Sequence, residues 1–213
     1  MFPAESWRPL DKRVQVFAQG DAVTNVYLVQ SGAVSLARCN ADGKEVIVAF
    51  LGVGDFFGEE ALFGRGLRDT TAICIGSGSI FGISPEQFVA AVRGDPSLPM
   101  RLASNLSLRF DQVTQTVEDL AFATVEARLL TLFDRLANRY GIPTVDGVSV
   151  RLRLTHAQIG TFIGSTRETV SGHLASLIRR ERLRLEGPYY VLPSKSRVYT
   201  CVRGTEKGVS ERL

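Results

Sequence analysis

Residues 155–170 read THAQIGTFIGSTRETV, and this stretch decides how the second half of the chain folds. Apolar residues recur at helical spacing on both sides of Gly164, which predicts two short helices joined by a tight turn. Thr155 is placed to cap the first helix and Ser165 to cap the second. The positions predicted to face inward are Ile159, Phe162, Ile163, Val170, Leu174 and Leu177. This layout indicates a helix-turn-helix.

The first turn of the second helix carries side chains suited to reading DNA bases. An arginine such as Arg167 can bond a guanine through two hydrogen bonds, and Glu168 can accept from a cytosine amino group. Taken alone, the two would be ordinary solvated charges at a helix start. The turn, the caps and the following wing together favour base reading. The remaining candidate DNA contacts are Ser165, Thr166, Thr169, His173, Arg179 and Arg180.

A wing is predicted after the second helix. Residues 183–185 and 189–192 form two short apolar runs around the turn Glu186-Gly187-Pro188, which is typical of a hairpin. Arginines next to such a hairpin can contact DNA phosphates, which position a duplex without reading its sequence. The candidates for phosphate contacts are Arg179, Arg180, Arg182 and Lys195.

From about residue 14 to residue 81 the pattern is that of a β domain. Short runs of Val, Ile, Leu and Phe alternate with other residues, as strands with one face on a core require. The predicted turns are Gly20-Asp21, Ser31-Gly32, Asp42-Gly43, Gly52-Val53-Gly54-Asp55 and Gly76-Ser77-Gly78. A barrel or jelly roll follows, and the whole chain is assigned to the α+β class.

Helical periodicity replaces the strand pattern from Ser84-Pro85-Glu86 to Tyr140-Gly141. One long helix carries an apolar seam at alternating steps of four and three, which predicts pairing with a second copy of the chain. The seam consists of Leu106, Phe110, Val113, Val117 and Leu120. The alternative is that it packs on its own β domain. A second helix is expected from Val125 to Tyr140, capped by Thr124, and then a strand over residues 148–154.

Composition excludes several classes of protein. The 213 residues are 45% hydrophobic with a net charge of +3, the start of the chain is not that of a signal peptide, and no apolar run is long enough for a membrane span. We therefore expect a cytoplasmic protein. Cys39, Cys74 and Cys201 show no paired spacing and are expected to be reduced. An enzyme is disfavoured because both histidines, His156 and His173, fall outside the barrel, leaving no metal-ligand cluster there.

The run Gly164–Val170 and the barrel segments 42–45 and 54–59 resemble the cyclic-AMP receptor protein and Fnr superfamily of bacterial transcription regulators. From about Gly141 onward the chain is most similar to the cyanobacterial nitrogen-control branch. The resemblance implies a jelly-roll sensor like the cyclic-nucleotide-binding domain over 1–98, a dimerisation helix over 99–123 and a winged helix-turn-helix over 124–213. It also implies a homodimer that binds near-palindromic double-stranded DNA and contacts RNA polymerase.

The same resemblance implies an effector site, because residues 57–62 and 68–72 are similar to the phosphate-binding cassette of cyclic-nucleotide domains. The implied ligand is cyclic AMP. The implied contacts are Gly58, Glu59 to a ribose hydroxyl, Arg68 to the phosphate, Thr70 or Thr71, Arg109, and Thr114 from the other subunit. Asp69 would repel a phosphate, and Val113 replaces a polar contact. Another small anion, or no effector at all, therefore stays open.

Two departures from the superfamily bear on specificity. Many relatives carry a third base-reading arginine where this chain has Gly172, so the half-site is expected to differ. The nitrogen-control branch, whose ligand is 2-oxoglutarate, has glutamate at the position of Thr114 and lacks the Gly58-Glu59 pair. A rival function is a cyclic-nucleotide-binding module that controls a protein partner, against which the helix-turn-helix and basic wing argue.

Overall fold

The computed structural model describes residues 7–194, and its first part is one antiparallel sheet of six strands. The strand order is β1-β6-β3-β4, with β2 paired to β6 and β5 paired to β3. A five-residue 3-10 helix, Glu59–Phe63, follows β5. The strands are β1 Trp7–Leu10, β2 Gln15–Phe17, β3 Val26–Cys39, β4 Glu45–Leu51, β5 Phe56–Phe57 and β6 Thr71–Ile83.

Two predicted turns are wrong, because they lie inside the long strands β3 and β6. The pairing of β3 with β6 shifts register around Ser31, so the glycines form bulges instead of ending the strands. Gly32 has φ +75°, and a Cβ there would lie 2.5 Å from the carbonyl oxygen of Ser77. Only glycine permits two backbones to approach so closely in this conformation.

Three helices follow the sheet: α1 Pro85–Gly94, α2 Leu98–Phe122 and α3 Val125–Tyr140. The predicted cap Thr124 is confirmed, since its side chain accepts a hydrogen bond from the Ala127 amide. Within the described chain, α2 buries only Leu98 and Leu102 of its 25 residues. No helix among residues 7–194 is long and apolar enough to span a membrane.

The second sheet has four antiparallel strands in the order β7-β8-β10-β9, and two helices lie between β8 and β9. The predicted wing is confirmed by β9 and β10. The predicted strand over 148–154 is too long, because β8 ends at Val150 and the chain then turns towards the first helix of the helix-turn-helix. The elements are β7 Gly141–Thr144, β8 Gly147–Val150, α4 His156–Ile163, α5 Arg167–Arg179, β9 Arg184–Glu186 and β10 Tyr189–Pro193. The predicted α+β fold is confirmed.

The two parts of the chain share one apolar core. Buried residues of the sheet, including Phe50 and Ile75, belong to the same cluster as Leu129 and Leu174 of the helical part. The rings of Phe50 and Phe162 stack with centroids 5.0 Å apart. An ion pair between buried Asp55 and Arg139 also joins the sheet to α3. The helix-turn-helix is thus seated directly on the first sheet.

Candidate nucleic-acid interface and effector pocket

The helix-turn-helix packs as its sequence predicts. Thr155 and Gln158 form a reciprocal capping box at the start of α4, and Gly164 ends that helix at φ +65°. Five of the six predicted inward residues are buried to 3% exposure or less, and Phe162 is half-buried against Phe50. The core of this unit therefore fixes which face of α5 is left to solvent.

The free face of α5 carries the predicted base readers. Arg167, Glu168 and Thr169 are all exposed in its first turn. The predicted cap Ser165 is wrong: Thr166 caps α5 and accepts from the Thr169 amide at 3.2 Å, because α5 begins one residue later than expected. Arg167 and Glu168 thus occupy the first two helical positions, where side chains of a recognition helix reach base edges.

Further along α5, the other predicted contacts border a shallow groove. His173 lies on it beside Gly172, and Arg180 forms an ion pair with Glu126 across it. Arg179 is exposed and has no ion-pair partner among residues 7–194. A Cβ on Gly172 would meet nothing within 4 Å, so the fold itself does not demand glycine at this position.

The predicted phosphate contacts near the wing differ in ion pairing and in burial. Arg184 pairs with Asp146 at 3.4 Å, and Arg182 is half-buried at the end of the turn after α5. Lys195 lies outside the described residues.

Of the three cysteines, Cys201 also lies outside the described residues. Cys39 and Cys74 are free thiols, and burial raises the pKa of the Cys74 thiol.

Sequence reasoning missed a network centred on His156. Ser171 donates its only hydroxyl proton to the Arg167 carbonyl at 2.8 Å, so it must accept from His156 Nδ1, 2.7 Å away. His156 Nε2 then accepts from the Tyr190 hydroxyl at 3.0 Å. This chain of bonds ties α4, α5 and β10 together below the base-reading turn. A lone histidine in the sequence gave no signal of it.

Arg128 on α3 is a second residue that the sequence did not single out. Its guanidinium donates to the carbonyls of Ala123 and Leu120 at the end of α2, and to the carbonyl of Ile163 at 3.0 Å. A Cβ on Gly164 would lie 2.8 Å from Leu120. The long helix is therefore fastened directly to the turn that orients α5.

A separate cavity of about 350 Å³ opens between the first sheet and α2. Its size falls in the range of about 300–1,000 Å³ that small-ligand sites occupy. Predicted effector residues line it: Gly58, Glu59, Thr70 and Arg109. Leu36, Ala49 and Val113 supply apolar wall, so the cavity combines a hydrophobic lining with a few polar groups.

Glu59 and Arg109 face each other across this cavity. Arg109 Nη2 lies 3.0 Å from Glu59 Oε1, and both side chains are less than a fifth exposed. The second oxygen of Glu59 and the Nε of Arg109 are buried without a hydrogen-bond partner in the described chain. Buried polar groups left unpaired cost free energy, so a ligand that bonds them would be favoured.

Three predicted effector contacts do not line this cavity. The Arg68 side chain is 1% exposed and is absent from the cavity wall; it donates to the carbonyls of Gly58 and Asn25 and pairs with Glu60 at 3.2 Å. Thr71 accepts from the Gln19 amide at 3.0 Å. Thr114 is exposed on α2, outside the cavity of its own chain. Asp69, expected to repel an anion, is paired with Arg65.

Two family models match the parts of the chain that carry these candidate sites. Residues 7–95 match the model of the cyclic nucleotide-binding domain, and residues 127–196 match that of the Crp-like helix-turn-helix domain. The global nitrogen regulator of Synechococcus elongatus is 34% identical over 76% of this chain and 74% of its own. The CRP-like cAMP-activated global transcriptional regulator of Mycobacterium tuberculosis is 28% identical over 86% of this chain and 82% of its own.

Among solved structures, the c-di-GMP responsive global regulator CLP of Xanthomonas campestris shares 26% identity at a TM-score of 0.73, covering 88% of this chain and 93% of that one. The fold and the two sites define a DNA-binding regulator with a sensory β domain. The chain belongs to the CRP/FNR family of transcription regulators, whose members include the cyanobacterial global nitrogen regulators.

Proposed function

We propose that two copies of this chain pair through α2 and read a near-palindromic DNA site with the first turns of their α5 helices. The observation that carries the proposal is the exposed Arg167-Glu168-Thr169 turn at the start of α5, a helix anchored to the core by Val170, Leu174 and Leu177. In this proposal Arg167 and Glu168 read bases, while Thr166, Thr169, His173, Arg179 and Arg180 position the duplex. Ser165, whose amide donates to the Gly160 carbonyl at 2.9 Å, shapes the turn. RNA polymerase is the proposed protein partner.

Replacing Arg167 by alanine tests base reading. The site is first defined by selecting bound genomic fragments with the purified protein. Loss of a bidentate base contact is expected to weaken binding to that site by about 1–3 kcal/mol per half-site. Binding to scrambled DNA should barely change, because Arg167 carries little of the nonspecific affinity. Fluorescence anisotropy on both duplexes measures the difference.

Arg179→Ala is the matched control, since that arginine is exposed on the same helix about three turns further on. If Arg179 contacts a phosphate, its removal should weaken binding to both duplexes equally and reduce the salt dependence of binding. Equal losses on both duplexes for Arg167→Ala would instead make Arg167 another phosphate contact. Other residues of α5 would then have to read the DNA sequence.

We further propose that the cavity between the first sheet and α2 binds a cyclic nucleotide, with cyclic AMP the first candidate. The unpartnered atoms of Glu59 and Arg109 support this proposal, as does the cyclic nucleotide-binding domain match. Glu59 would take a ribose hydroxyl and Arg109 the phosphate. The backbone of Gly58 and the hydroxyl of Thr70 complete the lining. Thr114 would reach the ligand of the partner subunit. Arg68 and Thr71 would support the cavity wall from behind.

Arg109→Gln is expected to weaken cyclic AMP binding by about ten- to hundredfold, the usual worth of a hydrogen bond to a charged group. Arg101→Gln, on the exposed face of the same helix, should leave the affinity unchanged. Calorimetric titration measures both. Repeated with operator DNA present, the affinity for cyclic AMP should change by the same factor as cyclic AMP changes the affinity for DNA. If cyclic AMP releases no heat in either titration, the cavity binds another anion or no effector.

A further inference from the structure

A second cavity, of about 580 Å³, lies between the first sheet and the DNA-binding part of the chain, and we call it the interdomain cleft. The sheet contributes Lys12 and the bulge glycines of β3 and β6. The DNA-binding part contributes Arg139 and Tyr140 from the end of α3, Arg151 and Arg153 from the segment after β8, and Tyr189 from the wing. It shares no lining residue with the cavity of Glu59 and Arg109.

The cleft is strongly cationic. Four of its lining side chains are basic, and none is a carboxylate. Arg139 is neutralised by Asp55, but Lys12, Arg151 and Arg153 have no ion-pair partner among residues 7–194. Such a cluster in a concave site concentrates positive potential and attracts anions.

Arg151 and Arg153 both lie against the same aromatic ring, that of Tyr189. Their guanidinium carbons lie 4.8 Å and 5.3 Å from the centroid of the Tyr189 ring. Stacking on an aromatic ring fixes the plane of a guanidinium and leaves its edge free for hydrogen bonds. Both guanidiniums line the cleft without a carboxylate partner in the described chain, so an anion in the cleft can bond them.

Tyr140 adds an unsatisfied donor to the cleft. Its hydroxyl oxygen is buried and has no hydrogen-bond partner in the described chain. The ring is fixed over Gly52, where an added Cβ would lie 2.4 Å from Tyr140 Cε1. Burial raises the pKa of this hydroxyl well above its usual range, so it stays protonated and able to donate.

We propose that the interdomain cleft is a second small-molecule site, which binds a compact multivalent anion that carries phosphate groups. Arg151 and Arg153 donate hydrogen bonds to the anion from the free edges of their guanidiniums. Lys12 forms an ion pair with it from the sheet, and the Tyr140 hydroxyl donates a hydrogen bond to it. Because the walls come from both parts of the chain, binding stabilises the arrangement in which the helix-turn-helix rests on the sheet. This site goes beyond the proposed function and does not depend on it.

Calorimetric titration of the full chain with inorganic pyrophosphate at low ionic strength tests the proposal. The double variant Arg151→Gln/Arg153→Gln should weaken binding by at least about tenfold, since two charge-assisted contacts are lost. Both arginines are exposed, so the variant keeps its core. Tyr140→Phe, which removes only the hydroxyl, should weaken binding severalfold. Arg38→Gln/Arg93→Gln removes the same charge from exposed positions elsewhere and should have no effect.

Several results would overturn the proposal. The proposal is wrong if pyrophosphate releases no heat with the unaltered chain, or if the control pair loses as much affinity as the cleft pair. Binding abolished by Arg109→Gln but kept by the cleft variant would assign the anion to the other cavity. If the cleft variant keeps pyrophosphate binding but lowers the salt dependence of binding to random DNA, its arginines contact DNA phosphates instead.

Discussion

Replacing Phe110 and Val117 by glutamate is expected to convert the protein to a monomer and to weaken operator binding by about 10²–10⁴-fold. The loss has this size because a dimer binds its second half-site as an intramolecular step, and a monomer forfeits that advantage. Binding to an isolated half-site should change little, since both positions lie on α2, away from α5.

The structure supplies the reason for choosing these positions. Phe110 is 73% exposed and Val117 is 60% exposed, and they sit with Val113 and Leu120 on one stripe of α2. Of the predicted seam, only Leu106 belongs to an apolar cluster of the β domain. Val113 lines the cavity between the first sheet and α2 but is still 46% exposed, which argues against the alternative that the seam belongs to the β domain. In a two-fold pair the same patch meets itself, so four carboxylates would be buried in one interface.

Sedimentation velocity gives the oligomeric state, and anisotropy on full and half operators gives the affinity. Val46→Glu/Val89→Glu is the matched control, because it places the same charges on exposed valines outside α2 and should remain dimeric. A dimer that survives the α2 substitutions, with full operator affinity, would show that the chains pair through another surface.

Local features of the chain could be predicted well from sequence because their causes are local. The caps Thr124 and Thr155 are each determined by a side chain and an amide three residues away. The inward residues of α4 and α5 follow from helical period alone. The single-residue error at Ser165 has the same origin, since Ser165 and Thr166 are both good caps and only the packing of α5 chooses between them.

Features that depend on distant residues could not be predicted. Gly32 resembles a turn glycine locally, but its partner is the backbone at Ser77, 45 positions later, so it forms a bulge in a long strand. The bonds of His156 to Ser171 and Tyr190 likewise join three elements. The contact between Phe50 and Phe162 depends on how α4 is placed against the first sheet, which no periodicity encodes.

Arg68 is the site residue whose predicted role the structure changes most. By resemblance it pairs with a ligand phosphate, yet its side chain lies beneath the cavity wall and bonds the Gly58 and Asn25 carbonyls. It also stacks on Phe17, with its guanidinium carbon 4.2 Å from the ring centroid. Gly58, which begins the 3-10 helix of the cavity, is therefore held in place by Arg68.

Arg68→Met is accordingly expected to lower the free energy of unfolding by about 3 kcal/mol, because it leaves Glu60 and two carbonyls buried without their partner. Adding Glu60→Gln should recover part of the loss by removing the isolated charge. Arg65→Met is the control: that arginine pairs with Asp69 at the surface, with 64% of its side chain exposed, and its removal should cost less than about 1 kcal/mol.

Urea unfolding followed through Trp7, the only tryptophan, measures these differences at a fixed protein concentration. Trp7 is a suitable probe because its ring lies 5.2 Å from that of Phe81 in the first sheet. Substitution of a structural arginine lowers the free energy of unfolding more than it lowers ligand affinity. Substitution of a ligand contact lowers ligand affinity more than it lowers the free energy of unfolding. If Arg68→Met unfolds at the same urea concentration as the unaltered chain but no longer binds cyclic AMP, then Arg68 must turn into the cavity when the nucleotide enters, and the cavity wall has a second arrangement in which Arg68 is a ligand contact.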